Sequence, residues 1–158
     1  MASKVTGSLM KAGVLAAACI IVVRIILEQL GAPESVNNIF GVAWLYLVFA
    51  VLFALRLAAS GEPGPFKALL KALVLFAVYT RLMVMVTYMI AYQLKWQAPR
   101  FGMQMGGNVG PDVGLLQGLL VIPVRNALVW IVMATVVGMI IGGGVLFAKR
   151  KASPPSQA

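Results

Sequence analysis

An all-α integral membrane protein is predicted, with four transmembrane helices in an antiparallel bundle and a short interfacial or re-entrant half-helix before the last span. Three features of the sequence carry that prediction. The first is composition: of 158 residues, 61% are hydrophobic and only 11% charged, and the mean hydropathy is +0.96, well outside the range of soluble globular domains. The second is the character of the apolar runs, each about 20 residues long and without alternation, which suits a bilayer-spanning helix and excludes a membrane β-barrel, whose strands alternate. Backbone in hydrocarbon finds no water to bond, so helices remain as the spanning element. The third is the set of glycine, proline and asparagine clusters that separate the runs.

One domain is expected over 1–151, with spans at about 9–30, 36–59, 66–95 and 126–148, the half-helix at 113–122, and a flexible cytoplasmic tail over 152–158. The first run, from Leu9 to Leu30, follows a polar start and Lys11. Ala16-Ala17-Ala18-Cys19 is weakly similar to the small-residue box before a lipidated cysteine. The chain stays apolar beyond it, however, through Ile20 to Val23 and Ile25 to Leu27, so a retained spanning helix is the reading adopted. Gly31-Ala32-Pro33-Glu34-Ser35 breaks that helix, and Ser35 or Asn37 is available to cap the next. The second run, Val36 to Ala59, places Trp44 and Tyr46 near its first end, where amphipathic rings favour the headgroup level.

Ser60-Gly61-Glu62-Pro63-Gly64-Pro65 ends the second run, and a connection so short makes spans two and three neighbours. The third run, from Phe66, is followed by Gln97 to Asp112, rich in glycine and proline, which predicts an irregular loop. Val113 to Ile122 is apolar but too short to span, and Pro123 is expected to stop it. The last run, Asn126 to Ala148, is uncharged and ends at Lys149-Arg150-Lys151.

Orientation follows from the basic residues. One side receives Lys4, Lys11, Arg56, Lys67, Lys71, Lys149, Arg150 and Lys151, and the other Lys95, Arg100 and Arg125. That bias puts both termini on the cytoplasmic side, and small size with this composition suggests a bacterial inner membrane. The net charge of +9 is then explained by topology and by contacts to anionic membrane lipids, with no nucleic acid implied.

Histidine is absent and Cys19 is the single cysteine. Without them the commonest general base, metal ligand and redox pair are missing. No cofactor, no metal site and no catalytic residues are implied: the methionines around Met103 and Met105 suit adaptable packing better than a Cu(I) site, and the hydroxyls have no partner to activate them. The chain is expected not to be an enzyme.

Chemistry is sought instead on the third span. At helical spacing Lys67, Lys71, Val74, Val78, Arg81, Met85, Tyr88, Tyr92 and Lys95 fall on one line. Arg81 lies some 15–21 Å along the helix from Lys71 and Lys95, and a mid-span arginine costs about 2.5–3.5 kcal/mol on insertion scales unless it meets a partner or water. Arg81, Tyr88 and Tyr92 are therefore candidate binding residues for an anion, a lipid headgroup or a proton path. The alternative is that Arg81 binds backbone carbonyls or snorkels while the tyrosines pack. Arg24 and Glu28, four apart, form a second candidate pair. Glu28 could reach Arg81 only if the helices are offset, so a carboxylate from another subunit is a further possible counter-charge.

Ala134, Gly138 and Gly142 in the last span, and Ala50 and Ala54 in the second, form small-residue faces. Such faces allow close helix approach, within one bundle or between copies. The leading expectation is a non-catalytic subunit or scaffold of a membrane complex, a homo-oligomer or a hetero-complex member that associates through these faces and through lipid contacts. A small transporter or channel for an anion, proton or lipid, using the basic face of the third span, is the alternative.

Overall fold

The computed structural model describes residues 2–152, with side chains from Thr6 to Lys151. The elements are α1 (Ala2–Gln29), α2 (Glu34–Ile39), α3 (Ala43–Ser60), α4 (Pro65–Leu94) and α5 (Ile122–Ala152), with two 3₁₀ turns at Pro99–Phe101 and Met103–Met105 and a π-helical turn at Gln117–Val121. Four stretches are long and apolar enough to cross a membrane: Thr6–Gln29, Glu34–Ser60, Pro65–Leu94 and Gln117–Lys151. The tail expected over 152–158 lies outside the described residues except for Ala152, the last residue of α5.

The helix ends follow local chemistry. α3 stops at Gly61 (φ 64°), and Gly64 (φ 75°) starts α4 ahead of Pro65. Both glycines take the left-handed conformation that side chains disfavour. α4 closes at Lys95, which adopts the same conformation (φ 52°) and directs its N–H to the carbonyls of Ala91 and Tyr92.

Packing centres on α3 and α4, which contact each other while α1 and α5 each pack against both. Phe53 and Phe76 are fully buried and Phe49 nearly so, and the rings of Phe49 and Phe76 lie 4.9 Å apart. α1 reaches this cluster through small residues: a Cβ on Gly13 would fall 2.6 Å from the Phe49 ring, and Ala17 is fully buried. On α5, a Cβ on Gly142 would stand 2.8 Å from the carbonyl oxygen of Ala50, and one on Gly138 3.0 Å from Leu73. Ala50, Ala54 and Ala134 are buried as well. The small-residue faces therefore meet inside the chain, the first of the two arrangements that their spacing allows. Leu15, Val48, Leu82, Val132 and Ile140 lie instead on an exposed apolar exterior.

Several local expectations are corrected. Pro123 does not stop the 113–122 segment: helical structure runs unbroken from Leu115 to Ala152. The π turn absorbs the proline, because Ile122 donates its N–H to Gln117 one residue further back than in an α-helix. The second span is interrupted at Phe40-Gly41-Val42. Neither Ser35 nor Asn37 caps it; Asn37 is buried and bonds back to the Ala32 carbonyl at 2.9 Å. Trp44 is exposed as expected, whereas Tyr46 turns inward to a 2.7 Å hydrogen bond with Thr80. The 97–112 loop is ordered by its own bonds, including Val109 N–H to the Phe101 carbonyl at 2.7 Å.

Candidate functional site

The expected basic line on α4 divides into two kinds of position. Lys67, Lys71 and Lys95 are exposed, while Arg81 and Tyr92 are buried and Tyr88 partly so. Lys95 places its ammonium 4.0 Å from the Tyr92 ring centre. Tyr92 donates its hydroxyl to the Val113 carbonyl at 2.9 Å, and its ring lies on Gly118, where a Cβ would come within 2.1 Å. Tyr88 donates to the Arg100 carbonyl at 3.4 Å. Both tyrosines thus hold the loop and the π turn against α4.

Asn108 completes that attachment. Fully buried, it donates from Nδ2 to the carbonyls of Tyr88 and Gly118, each at 2.7 Å. The Gly118 carbonyl is open for a definable reason. Its α-helical donor, Ile122 N–H, is diverted to Gln117, and its π-helical donor would be Pro123, which has no N–H. Asn126 adds a bond to the Gly106 carbonyl at 3.0 Å. The loop is thereby fastened over the ends of α4 and α5.

Arg24 and Glu28 do pair, at 2.9 Å, but Glu28 also takes a partner that its sequence position does not suggest. Arg100 Nε lies 2.9 Å from the same Oε1 atom. The Arg24 contact is an aligned hydrogen bond; that from Arg100 is an ion pair whose N–H has no aligned acceptor. The Glu28 side chain is 2% exposed, and its Oε2 has no hydrogen-bond partner. Burial pulls the Arg100 guanidinium below its ordinary pKa, while the Glu28 charge acts in the opposite direction. This cluster joins the end of α1 to the loop and uses the carboxylate considered for Arg81.

Arg81 is left with aromatic neighbours. Its guanidinium carbon lies 4.5 Å from the Trp130 ring centre and 5.3 Å from that of Tyr46. At about 0.5–2 kcal/mol for each such contact, two rings are comparable with the insertion cost of one arginine, so a carboxylate is not required to hold it. Cation–π contacts use the faces of the guanidinium, whereas its N–H donors lie in the plane at its edge. Nε is buried with no hydrogen-bond partner, and no carboxylate pairs with Arg81 among the described residues.

Beside Arg81 is a cavity of about 150 Å³, lined by Val84, Met85, Tyr88, Met105, Gly106, Pro123, Asn126, Ala127 and Trp130 as well as Arg81 itself. Small-molecule pockets are commonly about 300 Å³ or larger, so this volume suits a single polar group more than a whole solute. Trp130, Tyr46, Asn126 and Arg100 were not expected at a site. Trp130 and Asn126 sit in a run that the sequence marks only as uncharged, and nothing in their spacing points to Arg81. No known protein family, curated protein or solved structure matches the chain.

Proposed function

We propose that this chain is a non-catalytic integral membrane protein that takes an anionic group at Arg81 and serves as a subunit or scaffold of a membrane complex. In this reading the four apolar helices form an antiparallel bundle in a bacterial inner membrane with both termini cytoplasmic. The distribution of basic residues supports the orientation, and the exposed apolar exterior supports insertion. The observation that carries the functional reading is Arg81: a buried cation that no carboxylate pairs among the described residues, beside two rings and at the wall of a small cavity. A guanidinium is suited to a carboxylate or phosphate.

Transport of an anion, proton or lipid along the basic face of α4 receives less support. From α4 the cavity is lined by Arg81, Val84, Met85 and Tyr88. On the other side of Arg81, towards the start of α4, Leu69, Phe76, Ala77 and Thr80 are fully buried. Tight packing on that side of Arg81 favours holding over passage.

The test is to solubilise wild type and Arg81→Leu in mild detergent and compare them by native mass spectrometry. Wild type should carry a bound anionic species or subunit that the variant lacks. Bare monomers from both would overturn the reading.

A further inference from the structure

We infer that the anionic group at Arg81 belongs to a membrane lipid whose headgroup enters the cavity while an acyl chain lies in the neighbouring apolar groove; this rests on the anion reading above. The groove has a volume of about 190 Å³ and runs between α3 and α5, lined by Trp44, Leu47, Met133 and Val137 together with Tyr46 and Trp130. The same two rings that flank the Arg81 guanidinium therefore wall the groove. Trp130 lines both spaces, so a polar recess with one fixed positive charge lies beside an apolar groove. That combination matches an amphiphile with a negative head and a hydrocarbon tail, and matches neither half alone.

The guanidinium meets Trp130, which lies five residues, about 7.5 Å, along α5 from the exposed Arg125, so a headgroup held at Arg81 is drawn inward from the level of Arg125. Trp130 is 45% exposed and Met133 52% exposed, so the groove opens on the face that the bundle presents to lipid.

Bromine on an acyl chain quenches a nearby tryptophan, which makes Trp130 and Trp44, both in the groove wall, the probes once Trp96→Phe has removed the third. The full-length protein is reconstituted in phosphatidylcholine vesicles containing phosphatidylglycerol, with bromine placed on one lipid or the other at equal mole fraction. Phosphatidylglycerol should be enriched about fivefold beside these tryptophans, the order expected for one basic side chain meeting an anionic headgroup. Enrichment should vanish in Arg81→Gln and in Val137→Phe, which fills the groove while leaving the charge, and persist in Lys95→Gln.

Equal quenching by both lipids overturns the inference, as does enrichment that survives Arg81→Gln. A parallel titration of the detergent-solubilised protein with inorganic phosphate separates the two levels. An Arg81-dependent change in tryptophan emission without lipid enrichment would remove the lipid and retain the anion reading. A protein subunit released by Arg81→Gln, again without enrichment, would also overturn the lipid, whereas no response to phosphate, lipid or partner would remove both readings.

Discussion

Arg81 illustrates how a costly residue is tolerated. Two aromatic rings beside its guanidinium offset its burial, and no carboxylate pairs with it among the described residues. Elsewhere the decisive residues are those with no side chain. Adding a methyl at Gly118 would drive it into the Tyr92 ring at 2.1 Å, displacing the ring that bonds Val113. Gly118→Ala should therefore lose about 1–3 kcal/mol, the usual cost of overpacking, measured by thermal unfolding in detergent. Gly143→Ala is the matched control, because its added Cβ would first meet Phe66 at 3.7 Å, an ordinary contact; its midpoint should stay near that of wild type. Equal loss in both would show that glycine content, and not the Tyr92 contact, governs stability.

At the scale of elements, the π turn and the loop form one unit. Pro123 removes a donor, the π register diverts another, and Asn108 supplies the missing bond to the Gly118 carbonyl while its second bond reaches α4. Asn108→Ala would leave a buried carbonyl unsatisfied, at about 1–3 kcal/mol. The loss should be local: faster amide hydrogen exchange across 101–109 and 115–122, with α1 and α3 protected as before. Acceleration throughout the protein would contradict the loop's role as a separate cap. The sequence marked this region as a break because proline and glycine disfavour helix locally. It could not show that a π turn would carry the helix through Pro123, since that outcome depends on a donor ten residues away in sequence. Glu28 is similar: its bond to Arg24 is readable at i, i+4, but its contact with Arg100 requires the fold.

For the whole molecule, charge asymmetry sets the expected orientation. In a Cys19→Ser background, required because Cys19 is exposed, Gln104→Cys should react with an impermeant thiol reagent added to intact spheroplasts. Lys151→Cys should react only after permeabilisation. The reverse pattern would invert the proposed topology and move the Arg81 cavity to the cytoplasmic end. The apolar exterior and the small-residue contacts divide the work of the bundle: exposed leucine, valine and isoleucine face outward, while Gly13, Ala17, Gly138 and Gly142 let helices approach.

Composition and the length of the apolar runs by themselves determined an all-helical chain with four potential spans, because those properties accumulate along the backbone and need no partner. Spacing along a single helix likewise revealed Arg81, Tyr88 and Tyr92 as neighbours on α4. Tertiary structure decided what each of them meets. Arg81 faces Tyr46 and Trp130, the tyrosines hold a loop, and Glu28 turns to Arg100, since burial and ion pairing are settled by which helices pack and at what relative depth. Hydropathy reports how readily a segment leaves water; only the packed helices decide which of its polar atoms remain without a partner.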